Sequence, residues 1–129
     1  MNPILLETNL PGLALYGRGK VRDIYEVGSH LLIVTTDRIS AFDYILASGI
    51  PDKGRVLTQL SLFWFDFLRD VLPNHLVSAN LADYPAALQP FASQLEGRST
   101  LVKRAKMIEI ECNLLLNQTI KEKLILHTA

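Results

Sequence analysis

The chain has 129 residues, 49% hydrophobic and 20% charged, which is one domain's length with enough apolar content for a core of its own. Its 13 basic and 13 acidic residues cancel, so no global field draws it to nucleic acid or an anionic membrane, and any basic site has to be local. A single cysteine, Cys112, excludes an internal disulfide framework and a cysteine-rich zinc site.

The first residues show neither a basic n-region nor a cleavage-site pattern, and no apolar run approaches the roughly 18 residues of a membrane span, so a cytoplasmic protein is expected. Residues 13–16 read as a first strand after the Pro11-Gly12 turn. Next come Gly17 and Gly19, interleaved with Arg18, Lys20 and Arg22. Glycine is free to take positive φ and to bring backbone N–H groups close to a ligand, and the basic side chains favour an anion there. A glycine-containing turn with solvated charges is the alternative. Residues 20–27 alternate as a half-buried strand, with Val21, Tyr25 and Val27 on one face and Asp23 breaking the apolar pattern. After Gly28-Ser29, the β-branched run 30–36 reads as a central strand, so the three strands form an antiparallel meander with the glycine loop at one tip.

The segment 36–43 then sets Asp37, Arg38, Ser40 and Asp43 directly after the buried strand, where loops carry function. These groups are placed to bind a polar substrate, or Asp37 and Arg38 to pair with each other and Ser40 to cap a turn. Residues 44–47 look extended, and 49–54 read as a loop. Leu57, Leu60, Trp64, Phe67, Leu68 and Val71 recur at helical spacing, with Thr58 as a candidate cap and Pro73 as a stop. Leu62, Phe63 and Phe65 make this helix apolar on more than one side, which predicts burial between two layers or a face meant for something beyond the helix. Core packing accounts for the aromatics better than a base-stacking platform does. Residues 75–78 suggest a short strand, Asp83-Tyr84-Pro85 the start of a short helix, and 100–112 a long strand carrying Lys103, Arg104 and Lys106. Residues 113–127 fit one helix or two short strands.

Lys20 is followed by Val21 and a strand-like run, so the glycine loop is not a Walker A loop, and Arg22 stands where a Rossmann fingerprint has its third glycine. A glycine loop between antiparallel strands matches instead the way kinases lay backbone over phosphates, although here too the third glycine is missing. His30, His75 and His127 are scattered, with no metal-ligand spacing.

Four blocks in order, Tyr16-Gly17-Arg18-Gly19-Lys20-Val21-Arg22-Asp23-Ile24-Tyr25, then 36–43, then 53–65, then Leu101-Val102-Lys103-Arg104-Ala105-Lys106-Met107 through Glu111-Cys112, strongly resemble the N-terminal part of the SAICAR synthetase family. The resemblance implies an α+β fold: an antiparallel sheet with a packed helix, like the N-terminal, ATP-grasp-like lobe of those enzymes. It implies a carbon–nitrogen ligase of purine biosynthesis that uses ATP and magnesium to join L-aspartate to carboxyaminoimidazole ribonucleotide, giving SAICAR, ADP and phosphate. By the same resemblance Arg18, Gly19, Lys20, Val21 and Arg22 cover the ATP phosphates, Lys103 reaches them from a neighbouring strand, and Met107 to Glu111 form a hinge against adenine. Ser40 and Asp43 face the ribonucleotide or aspartate. Residues 1–112 would be the nucleotide-binding lobe and 113–129 a tail unlike the family. The family carries a proline where Glu109 stands, and continues past its Glu-Cys pair into a substrate loop that 113–129 do not match. A fragment that is inactive alone is therefore expected, with self-association through the Leu57–Val71 face. A non-catalytic nucleotide- or phosphate-binding module is the alternative.

Overall fold

The computed structural model describes residues 3–106, 110–115 and 123–128, the last two stretches as backbone only. The expected meander is present as β1 (Leu15–Arg18), β2 (Arg22–Val27) and β3 (His30–Thr35), antiparallel throughout. Two later strands, β6 (Leu76–Ser78) and β7 (Ser99–Lys103), complete a five-stranded sheet in the order β1-β2-β3-β7-β6. β7 lies against β3 with Val34 opposite Ser99 and His30 opposite Lys103. The fold is α+β, as the sequence predicts.

One face of the sheet carries the core. Tyr25, Leu32, Val34 and Leu101 pack onto Leu10 of the N-terminal leader and onto Tyr84, Leu88 and Leu95 of the segment between β6 and β7. That segment is built of short turns: 3₁₀ helices at Leu81–Asp83 and Ala86–Phe91, then α2 (Ala92–Leu95). Each such aliphatic side chain, fully buried, contributes about 1.5–3 kcal/mol.

Several elements depart from the sequence reading. Residues 38–49 form a hairpin, β4 (Arg38–Ala41) and β5 (Tyr44–Gly49), where only residues 44–47 were expected to be extended. Its two-residue turn puts Phe42 at φ 48° and Asp43 at φ 67°, the left-handed pair that matches the twist of a tight hairpin. Helix α1 (Lys53–Phe67) starts four residues before Leu57 and ends before Pro73 is reached. Thr58 is a buried residue inside it and not its cap; Asp52 holds the cap position. The expected long strand 100–112 is divided into β7 and β8 (Ile110–Leu115), and β8 pairs with β9 (Lys123–Thr128), so the two-strand alternative holds for the C-terminal segment. Among the described residues, no helix is long and apolar enough to cross a membrane.

Gly54 fixes how α1 joins the sheet. A Cβ there would lie 2.1 Å from the Thr35 carbonyl oxygen at the end of β3, so only glycine lets the first turn of the helix approach this closely.

Candidate functional site

The glycine loop is residues 19–21, between β1 and β2. Gly17 belongs to β1 at a register shift, and positive φ among the glycines occurs at Gly12, Gly28 and Gly97. The freedom expected at Gly17 and Gly19 is therefore used as bareness and not as left-handed backbone. A Cβ at Gly17 would meet nothing within 4 Å, and one at Gly19 would make only an ordinary 3.6 Å contact with the Arg22 carbonyl oxygen. The protein's own packing does not demand glycine at either position, which leaves room for a closely approaching ligand.

The loop is held from the inside by Arg38, whose side chain is 8% exposed. Its guanidinium donates to the carbonyls of Lys20 (3.0 Å), Gly19 (2.9 Å) and Leu6 (2.7 Å), and to Asp23 Oδ1 (2.8 Å). The Val21 carbonyl accepts from the Thr36 amide and hydroxyl, and the Arg22 carbonyl from the Gly19 amide. Every carbonyl from Gly19 to Arg22 thus has an internal donor. Carbonyl oxygens repel phosphate, so engaging them all inward leaves the loop's outer side to N–H groups and basic side chains.

Asp23, fully buried, is the loop's second anchor. It accepts from the Thr8 amide and hydroxyl on one oxygen and from Arg18 and Arg38 on the other. Burial works to raise its pKa, but the hydrogen bonds from Arg38 and Thr8, with the charge of Arg38, outweigh it and hold the carboxyl below its ordinary value. Asp37 does the same for the helix: it accepts from Gly54 N–H in the first turn of α1 (2.9 Å) and from Leu5 N–H (2.8 Å), and pairs with buried Arg98 at 2.9 Å. Asp37 and Arg38 therefore do not pair with each other, as one reading of the sequence allowed; each turns to a partner elsewhere in the chain.

The residues singled out in the sequence are divided by the fold. Arg18 is committed to Glu7, Asp23 and the Thr8 carbonyl. Burial lowers its pKa, but the two carboxylates more than offset this and the net shift is upward. Lys20 points from the loop to Asp43 at the hairpin turn, and this ion pair is exposed on both sides. The Lys20 hydrogen bond and charge lower the Asp43 pKa. Between loop and hairpin lies an open cleft of about 730 Å³, bounded by Arg18, Gly19, Lys20, Arg38 and Ile45. Arg22 lines a smaller cleft of about 190 Å³ with Thr35, Thr58, Ser61 and His75, on the side of the loop toward α1. Ser40 is half-buried on β4 opposite Ile45.

Lys103 is exposed and sits opposite His30, while Arg22 sits opposite Thr35. Five residues of β3 separate the two positions, roughly 16 Å along the strand, so the sheet does not bring Lys103 to the loop. Met107 lies outside the described residues, and of Glu111 only the backbone, in β8, is described. Among the described residues no cluster of three or more His, Cys, Asp or Glu side chains is arranged to hold a metal ion.

Four buried charges that shape the site, Asp23, Arg38, Asp37 and Arg98, were not read from the sequence as its supports. The available signal was Asp23 interrupting an apolar strand face and Asp37-Arg38 following a buried strand without a break.

Sequence and structure comparisons agree on what the chain resembles. The sequence model of the family described as SAICAR synthetase matches residues 15–115. Over 112 residues the chain is 59% identical to a phosphoribosylaminoimidazole-succinocarboxamide synthase of Geobacter sulfurreducens and 58% identical to one of Thermodesulfovibrio yellowstonii, in each case covering 87% of this chain and 38% of the relative. A solved SAICAR synthase superposes with a TM-score of 0.77 at 45% identity, covering 88% of this chain and 42% of that one. The SAICAR-synthase of Saccharomyces cerevisiae, solved in complex with SAICAR, gives 0.75 at 47% identity, covering 84% and 39%. The chain spans well under half the length of these relatives. With its glycine loop, sheet order and helix all inside the matched region, the chain belongs to the SAICAR synthetase family.

Proposed function

We propose that this chain is the phosphate-handling part of an ATP-dependent carbon–nitrogen ligase that joins L-aspartate to carboxyaminoimidazole ribonucleotide in purine biosynthesis, acting in the cytoplasm. The observation that carries the reading is the contact between Lys20 and Asp43, which sets the tip of the glycine loop against the turn of the Ser40–Asp43 hairpin. Such a ligase has to bring a nucleotide's terminal phosphate to a substrate carboxylate, and these two elements are the ones that the family resemblance implies for those two partners. The carboxylate takes the γ-phosphoryl group as ADP leaves; the aspartate amine then attacks the acyl carbon, giving up a proton as phosphate departs. The protein's task in both steps is to neutralise charge and hold the reactants in line.

In this reading Lys20 and Arg22 supply positive charge to the phosphates and the amides of Lys20 and Val21 supply donors, the Gly19 amide being held by the Arg22 carbonyl. Arg18 and Arg38 act from behind, keeping the loop's carbonyls turned away. Ser40 and Asp43 face the ribonucleotide or aspartate. Lys103, at the far end of β7, together with Met107 and Glu111, serves the nucleotide away from the loop.

Calorimetry of the purified chain with ATP and magnesium, in parallel with an assay for SAICAR, tests the proposal. Binding without product, tightened by added carboxyaminoimidazole ribonucleotide, is the expected outcome. Binding indifferent to the ribonucleotide fits the non-catalytic nucleotide module instead, and absence of ATP binding removes both. SAICAR formation would show that the chain carries the whole reaction.

A further inference from the structure

The hairpin β4–β5 is fixed at its base and loose at its tip. At the base Arg38 is buried, Ile50 N–H donates to the Asp37 carbonyl (3.0 Å), and a Cβ at Gly49 would lie 2.8 Å from that same oxygen, so the strand ends are wedged against Asp37. The two strands form a sheet of their own, and toward the turn Phe42, Tyr44 and Ile45 are all more than half exposed. Among the described residues, the pair of Asp43 with Lys20 is the only hydrogen bond or ion pair between residues 40–48 and the chain outside the hairpin.

The glycine loop on the other side of this contact has no such freedom. Its carbonyls are held by Arg38, Thr36 and Gly19, so its backbone stays in place whatever the Lys20 side chain does. The contact therefore joins a fixed element to a movable one through a flexible lysine stem, with both side chains open to water. Exposed pairs of this kind are weak and screened by salt. A polyphosphate chain is a stronger partner for Lys20 than Asp43 is: it brings several negative charges, accepts charge-assisted hydrogen bonds, and can engage Arg22 and the Lys20 and Val21 amides at the same time. Once it is seated, the Asp43 carboxylate faces like charge at the same ammonium and is repelled.

We propose that the Lys20–Asp43 contact is a latch, which holds the hairpin tip on the glycine loop while the phosphate site is empty and lets it go when a polyphosphate takes Lys20. The tip then moves about its base at Arg38 and Gly49, so the Ser40–Asp43 turn is freed for a second substrate only when the first is bound. By linkage, breaking the contact beforehand favours phosphate binding by the same factor. The inference rests on the reading of the loop as a phosphate site.

Tripolyphosphate, with no nucleoside attached, is the probe, used in calorimetry and in hydrogen exchange of the peptide covering residues 40–46, on wild type, Lys20→Gln and Asp43→Asn. Without ligand, both variants should exchange faster than wild type across 40–46 once intrinsic rates are corrected for, with exchange in β2 and β3 unchanged. Saturating tripolyphosphate should bring wild type up to the rate of the variants and leave Asp43→Asn where it was. Asp43→Asn should also bind tripolyphosphate about two- to fivefold more tightly than wild type, the range an exposed ion pair contributes. Tighter binding with equal exchange in the three ligand-free proteins is simple charge attraction, and it overturns the latch while leaving the phosphate site standing. Exchange slowed in wild type by tripolyphosphate, or equal or weaker binding by Asp43→Asn, overturns it in the same way. Failure of wild type to bind tripolyphosphate at all overturns the latch together with the reading of the loop on which it rests.

Discussion

The Asp23 carboxylate lies 2.8 Å from the Arg38 guanidinium, and both are buried directly behind the glycine loop. This pair couples the leader, the loop and the start of the hairpin, because Arg38 also holds the Leu6, Gly19 and Lys20 carbonyls. Removing one member of a buried pair leaves the other charged and under-solvated, at a cost of about 3–5 kcal/mol. Arg38→Ala is expected to lower stability by that amount in urea unfolding. Arg38→Lys should recover only part of it, since an ammonium cannot reproduce the planar fork that meets these acceptors.

The same carboxylate sets a pH dependence. The folded-state pKa of Asp23 lies below its ordinary value, so the stability it contributes is fully present above the unfolded pKa of about 3.9 and is lost as pH falls through the folded value. Acid titration of the unfolding free energy should therefore show a decline below about pH 4 that is shallower in Asp23→Asn. An acid limb of equal slope in both proteins would show that other carboxylates account for it.

Gly54→Ala places a methyl group against the Thr35 carbonyl, backbone against backbone, with no flexible side chain to yield. The first turn of α1 has to move away from β3, at an expected cost of about 1–3 kcal/mol. Thermal unfolding reads this directly, and a variant as stable as wild type would show that the helix approach is looser than described.

Phe42 holds a left-handed conformation that bulky residues adopt rarely, and the residue is 97% exposed, so packing returns nothing for the strain. Phe42→Asn keeps the turn with a residue suited to it and should raise stability by about 0.5–1 kcal/mol. An unchanged or lowered midpoint in urea would mean that the ring contributes to the fold.

Much of the sheet could be read from the chain because its signals are local. The alternation in β2 and the β-branched run in β3 located those strands, with Gly28 making the turn between them. The glycine loop was legible in its place between two strands but not in its bounds: it spans residues 19–21, and Gly17 and Arg18, read as loop, belong to β1. The hairpin β4–β5 was not legible, since its strands are four and six residues long and its turn uses Phe42-Asp43 where a sequence reader looks for Asn-Gly. The start of α1 was misplaced because its first turn is capped from a distance: Asp37, seventeen positions earlier, accepts from Gly54 N–H, and no local pattern announces that. The supports of the site escaped for a related reason. Asp23 with Arg38 and Asp37 with Arg98 become pairs only when β2, β3 and the segment before β7 are brought together.

In the proposed function the glycine loop, its carbonyls turned inward by Arg38, Thr36 and Gly19, presents Lys20 and Arg22 to the phosphates of ATP. The most direct measurement is the affinity of the purified chain for ATP with magnesium, by calorimetry, beside the double variant Lys20→Ala/Arg22→Ala. Both side chains are exposed, and an exposed pair such as Lys20–Asp43 contributes only about 0–1 kcal/mol to stability, so the variant should stay folded. Wild type is expected to bind, and the double variant to bind at least tenfold more weakly, about 1.4 kcal/mol. Equal affinity in the two proteins, or no binding by wild type, would contradict it.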